Sequence, residues 1–260
     1  MPDYSSYILC TSPRSGSTLL CKLLSATGVA GHPKSYFHEP SLKAWSEGLG
    51  VSTAPDVPDV ELRHRIFAAA LEKGTGDTGL FGMRLQRHSF DFFMKQLGCL
   101  CPNAPSDLAR LEAVFGKMLF IHLTRPDKVE QAVSFVRAEQ SGLWHKAPDG
   151  TELERLSEPR EAHYDAAEIR ACYDRFTRFD SDWQAWFESQ RISPLKITYD
   201  ALSADPQGTL RHVLQRLGLE ESAADGIVPG VAKLADATSA DWVSRFRSES
   251  GAQHKQAPSG

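Results

Sequence analysis

The 260-residue sequence holds few cysteines, no run of 18 or more apolar residues and no large excess of one charge. Each shortage excludes something. Five cysteines, an odd number, stand at positions 10, 21, 99, 101 and 172, a usage that fits reduced thiols better than a disulfide framework. Cys99 and Cys101 are too sparse for zinc, which takes about four ligands at recognisable spacing. No apolar run is long enough to span a membrane. The first residues show no charged region followed by an apolar core and a cleavage site, so a cytoplasmic protein is expected. With 29 Lys and Arg against 33 Asp and Glu, the formal net charge of −4 points away from nucleic acid as a partner.

What is present is an alternation of apolar segments and helical patterns. Residues 7–10, 80–85, 118–124 and 195–199 read as strands, and the intervening lengths suit crossover helices. That combination implies an α/β protein with a mainly parallel sheet covered on both faces. Residues 50–59 and 147–160, rich in turn formers, read as loops able to wall a substrate site. From 165 to 190, Ile169, Cys172, Tyr173, Phe176, Phe179, Trp183, Trp186 and Phe187 recur at three- and four-residue steps. This is an amphipathic helix with an aromatic, core-facing stripe. The composition from Gly251 onward predicts a disordered tail over 251–260.

The segment richest in chemistry is Pro13-Arg14-Ser15-Gly16-Ser17-Thr18, which joins the first strand to a helix-like run with Leu19, Leu20, Leu23 and Leu24. A strand feeding a helix through a short turn leaves backbone N–H groups free at the positive end of the helix dipole, a cradle for phosphate. The loop lacks the Lys of a nucleotide triphosphate loop, and Arg14 is its cation. A Ser/Thr-capped helix without a ligand is the competing reading.

A second constellation starts at the end of the third strand. Arg125 occupies the carboxyl edge of the sheet, where open α/β proteins bind ligands, and Ser134 follows about two helical turns later. If the Ser134 side chain faces back toward the Arg125 guanidinium, the pair holds a second phosphate through forked, charge-assisted bonds.

These motifs, with Gly28-Val29-Ala30-Gly31, the run Arg125-Pro126-Asp127-Lys128-Val129, Trp183-x-Ala185-Trp186-Phe187 and Asp241-Trp242-Val243-x-Arg245-Phe246-Arg247, resemble the bacterial trehalose sulfotransferase family in order along nearly the whole chain. The resemblance implies a three-layer P-loop-like fold in a single domain over 1–250, with excursions at 40–80 and 140–165 near the acceptor. It also implies sulfuryl transfer from 3′-phosphoadenosine 5′-phosphosulfate to a hydroxyl of a carbohydrate or other small metabolite, and a homodimer. The implied donor contacts are Arg14, Ser15, Gly16, Ser17 and Thr18 at the 5′-phosphosulfate, Arg125 and Ser134 at the 3′-phosphate, and Arg245 and Arg247 near the nucleotide. No metal is expected, because Arg14 and backbone amides can stabilise the leaving phosphate. A P-loop kinase and a donor-binding protein without catalysis are the alternatives.

One position departs from the family. Its base is a Glu just after the proline that follows the first helix, whereas here Pro33 precedes Lys34 and Ser35. Glu39, the nearest carboxylate, is then the first candidate base and His38, able to titrate near neutrality, the second. Arg84, Tyr36 and Trp45 are candidate acceptor-binding residues.

Overall fold

The computed structural model describes residues 3–52, 57–232 and 234–256. Four strands, β1 (Ser6–Thr11), β2 (Phe81–Gln86), β3 (Met118–Thr124) and a last strand at Leu195–Thr198, form one parallel sheet. Two short strands between them, β4 (Leu143–Lys146) and β5 (Glu152–Arg155), pair antiparallel as a separate hairpin, which makes the last strand β6. The sheet order is β2-β1-β3-β6.

The sheet is buried on both faces, as parallel sheets are. Tyr7 and Leu9 of β1 join Leu119, Ile121 and Leu123 of β3 on one face. There they meet α1 (Ser17–Ala26) and, from the end of the chain, the helices over Tyr199–Ala204 and Pro206–Leu217. Ile8 and Cys10 turn to the other face, against α2 (Leu42–Leu49), α3 (Asp59–Thr75), α4 (Arg87–Leu100) and α5 (Asp107–Phe115). Between β3 and β6 run α6 (Lys128–Ser141) and α7 (Ala166–Ser189); the two helices after β6 are α8 and α9, and α10 (Ala237–Gln256) packs on α6 and α7. The result is helix, sheet, helix in three layers.

The four expected strands all form, within a residue or two of their predicted ends, and the aromatic helix starts at an Asp165 cap that accepts bonds from Ala167 and Glu168 N–H. Two expectations change. Residues 147–160 are not all loop, because they contribute β5; its charged, largely exposed residues carry no apolar alternation to betray a strand. The tail expected from Gly251 is helical as far as Gln256, continuing α10 through residues that include good helix formers. Asp59 opens α3, and residues 53–56 of the loop expected over 50–59 lie outside the described residues.

Topology places the ligand edge. From β1 the chain moves to β2 on one side, then crosses to β3 on the other, so connections diverge between the carboxyl ends of β1 and β3. A crevice opens at such a switch point. The segments leaving those two ends carry Arg14 and Arg125.

Candidate anion-binding cleft

Residues 12–18 curl because Arg14, at φ 60°, and Gly16, at φ 87°, both take the left-handed conformation. For Gly16 this is steric as well as conformational, since a Cβ there would lie 2.8 Å from the Tyr199 ring. The curl is held from behind. Gln131, buried on α6, donates through Nε2 to Ser12 Oγ at 2.9 Å and to the Pro13 carbonyl at 2.6 Å, and Trp183 Nε1 donates to the Thr11 carbonyl at 3.0 Å. Gly16 is the N-cap of α1 and no side chain caps that helix. The first-turn N–H groups therefore face the cleft without an intrahelical partner, and the capped-helix reading does not hold here.

Ser15 is a correction. Its hydroxyl is fully buried against Thr11 and the Ser12 carbonyl, bracing the loop from inside instead of lining the cleft. Arg14, Gly16, Ser17 and Thr18 do line it. Burial, then the neighbouring Arg125 charge, lowers the Arg14 guanidinium to about 10, so an anion laid between the two cations would relieve both effects.

Arg125 is 5% exposed, donates to Glu130 Oε2 at 2.6 Å and stacks over the Tyr199 ring at 4.4 Å. Its buried Nε has no partner among the described residues. An unpaired donor this deep is costly, which suits a site completed by ligand. Ser134 lines the same cleft as Arg125, and its Oγ accepts from Arg14 Nε at 3.0 Å. Arg14 thus spans the gap between loop and second site, and its Nη1 also donates to the Trp144 carbonyl of β4 at 2.7 Å.

These residues wall one cleft of about 1490 Å³. Single small-molecule sites usually occupy roughly 300–1,000 Å³, so two substrates fit side by side. Arg84 reaches into it from β2, donating through Nε to Ser35 Oγ at 2.7 Å and through Nη1 to Thr18 Oγ1 at 2.8 Å. Arg247 lines the far wall while paired with Asp127. Arg245 does not line it: its guanidinium pairs with Glu249 and covers Tyr164.

The other candidates divide. His38 borders the cleft, edge-on to His88, and Glu39 opens into a neighbouring recess of about 510 Å³. Tyr36 and Trp45 wall only that recess. The Tyr36 hydroxyl donates to the His32 carbonyl at 2.6 Å, and Trp45 is 2% exposed among Phe37, Phe67, Phe92 and Phe93, so both are held by the core instead of facing the cleft.

Sequence reasoning missed four side chains. Tyr199 lines the cleft, and a Tyr at the end of an expected strand on the ligand edge was a legible signal. Gln131 belongs to the run that follows Arg125, but its role lies in a contact across the fold that spacing does not show. His145 and Glu154 were hidden in the unrecognised hairpin. His145 Nε2 lies 3.1 Å from Thr18 Oγ1 and 3.4 Å from Glu154 Oε2. Burial, then Arg14, Arg84 and Lys22, lowers its imidazole to about 4. Among the described residues no cluster of three or more His, Cys, Asp or Glu is placed to hold a metal ion, and no helix is long and apolar enough to cross a membrane.

Fold and cleft together define an α/β protein with a cationic cleft at the carboxyl edge of its sheet. More narrowly, the chain belongs to the Stf0 sulphotransferase family, whose profile matches residues 6–249. Two relatives bear the name trehalose 2-sulfotransferase. The one from Mycobacterium tuberculosis is 28% identical over 261 residues, spanning 94% of each chain. The one from Mycolicibacterium smegmatis is 29% identical over 266 residues, spanning 95% of this chain and 96% of its own. The sulfotransferase domain from the Synechococcus PCC 7002 olefin synthase overlays with a TM-score of 0.43 at 15% identity, over 94% of this chain and 86% of its own, too loosely for residue correspondence. The protein is a sulfotransferase.

Proposed function

We propose that the protein moves a sulfuryl group from 3′-phosphoadenosine 5′-phosphosulfate to a carbohydrate hydroxyl. The observation that carries this reading is the pairing of an uncapped helix start beside Arg14 with a buried, partly unpaired Arg125 in one cleft. A nucleotide with separate 5′ and 3′ anionic groups matches two separate cationic sites. The remaining cleft volume leaves room for an acceptor, and the names of the two relatives favour a sugar.

In this reading, Gly16, Ser17, Thr18 and Arg14 hold the 5′-phosphosulfate, and Arg125 holds the 3′-phosphate. As the sulfur–oxygen bond to the 5′-phosphate breaks, charge accumulates on that phosphate. The first-turn N–H groups and the Arg14 and Arg84 guanidinium groups stand ready to stabilise it without reorganising. Because these groups supply the positive charge, turnover is expected to persist in chelator; complete and reversible loss would contradict that. The five free cysteines, three of them buried, suit a reducing, cytoplasmic setting. A homodimer rests on the family resemblance, and sedimentation equilibrium tests it.

The deciding measurement is calorimetric titration with 3′-phosphoadenosine 5′-phosphate against ADP with Mg²⁺, followed by transfer of labelled sulfate to a sugar panel that includes trehalose. Preference for ADP overturns the reading. Tight bisphosphate binding with no transfer favours a donor-binding protein without catalysis, the reading that Lys34 and Ser35 keep open by standing where the resemblance leads one to expect a Glu.

A further inference from the structure

The cleft has its donor side but not the family's base, since Lys34 and Ser35 follow Pro33. Ser35 is occupied as an acceptor for Arg84, and Lys34 is exposed with its carbonyl tied to β2. Glu39 opens into the smaller recess, and His38 sits at the border between the two cavities. A different group stands at the helix start itself.

We propose that His145 is the general base that removes the acceptor's hydroxyl proton, and that the Glu154 carboxylate, 3.4 Å from the same Nε2, steadies the imidazolium that forms. The proposal rests on the sulfuryl-transfer reading above.

The geometry assigns the protons. Arg84 Nη1 donates to Thr18 Oγ1 at 2.8 Å, so the single hydroxyl proton of Thr18 is free to point at His145 Nε2, 3.1 Å away. In the proposal Nε2 is the lone-pair nitrogen of a neutral ring, bonded to Thr18, and the Glu154 carboxylate, 3.4 Å from that nitrogen without a hydrogen bond to it, becomes its partner once Nε2 is protonated. When an oxygen of the phosphosulfate takes the Thr18 proton instead, Nε2 is left with an unshared lone pair inside the cleft, beside the transferring group. One hydroxyl proton cannot serve two acceptors. Donor binding therefore uncovers the base.

The charges around the ring act in the same direction. It faces Arg14 from the β1–α1 loop, Lys22 from α1, Arg84 from β2 and Glu154 from β5. Buried among three cations, the imidazole is held at about 4 and is neutral at physiological pH. A phosphosulfate seated on Arg14 and Arg84 offsets the two strongest of those cationic influences, and the ring becomes more basic only once the donor is in place. A base poised in this way favours the acceptor proton when there is a sulfuryl group to receive the oxygen.

The step balances. The acceptor oxygen forms its bond to sulfur while its proton passes to His145 Nε2, and the sulfur–oxygen bond to the 5′-phosphate breaks, its electron pair leaving with the phosphate. The products are the sulfate ester, 3′-phosphoadenosine 5′-phosphate and an imidazolium beside the Glu154 carboxylate, which returns its proton to solvent. Glu154 is half exposed, close enough to water for that exchange.

The test follows the imidazole directly. Nitrogen-15 NMR of the full-length protein should show a neutral His145 protonated at Nδ1, titrating near 4, and rising by about one unit or more on saturation with 3′-phosphoadenosine 5′-phosphate. His145→Asn should lower kcat by about 10²–10⁴-fold, with affinity for that bisphosphate changed less than about threefold. Glu154→Gln should lower kcat less and shift the acidic limb of the pH–rate profile. If the wild-type protein binds no bisphosphate, the sulfotransfer reading fails, and this proposal with it. If it binds but the imidazole does not move, or His145→Asn keeps kcat within about tenfold, or loses bisphosphate affinity in step with kcat, then His145 is only a strut on Thr18. Where no sugar in the panel accepts sulfate, the imidazole shift alone decides.

Discussion

The donor and acceptor sides of the cleft are built differently. The donor side is continuous with the sheet: its loop leaves buried β1, is pinned by Gln131 and Trp183, and faces an Arg125 that is 5% exposed. In the proposed reading the acceptor side rests on the β4–β5 hairpin, outside the main sheet, with half-buried and exposed residues throughout. Rigid elements hold groups within tenths of an ångström, whereas surface excursions tolerate sequence change. In the proposed reading the division therefore separates donor binding, held by the sheet, from acceptor choice, held by a surface excursion.

The largest consequence is expected at Arg14, which contacts both sides. Arg14→Ala should lower kcat/KM by about 10²–10³-fold, as loss of a donor to a developing anion does. A loss confined to KM would place Arg14 in ground-state binding alone. Arg125→Ala should weaken 3′-phosphoadenosine 5′-phosphate by roughly 10–100-fold, the worth of a charged hydrogen bond, while leaving the 3′-dephospho analogue unaffected in a parallel titration. Equal losses for the two ligands would remove Arg125 from the 3′-phosphate. On the acceptor side, His38→Ala and Glu39→Ala should each cost less than about tenfold in kcat at saturating donor. A larger fall for either would move the base to that segment.

The smallest effect is on stability. His145 titrates at about 4 in the folded chain and near its ordinary 6.5 when unfolded. Between those values the unfolded state binds more protons, so this contribution to stability is present above about pH 6.5 and is lost as pH falls toward 4. Over that window the Tm of the wild-type protein should fall about 2–5 °C more than that of His145→Asn, measured by calorimetry without ligand. Parallel curves would mean that the hairpin opens and hydrates the ring.

The sheet was legible because buried parallel strands concentrate Leu, Ile and Phe in short runs between helices, as in 118–124. Arg14 and Arg125 were legible for a related reason: each follows such a run at the carboxyl edge, where the fold dictates ligand access. Ser15 was placed on the right segment, but its hydroxyl turns inward, since loop curvature sets which way a side chain points. Trp45 sits near a cavity in sequence terms but is enclosed by four phenylalanines from three elements, a cluster that only tertiary packing assembles. The hairpin escaped because strand pairing outside a core leaves little apolar periodicity, and with it went His145 and Glu154.

Tyr199 acts as a ruler. One of its faces carries the Arg125 guanidinium, and its edge lies where any Cβ on Gly16 would fall, so a single ring fixes the separation between the two anion sites. A ligand that engages both must match that span. In the proposed reading, selectivity for where phosphates sit on a nucleotide is set less by the groups that touch them than by the width of one aromatic spacer, and Tyr199→Leu is expected to recalibrate it while leaving Arg14 and Arg125 in place.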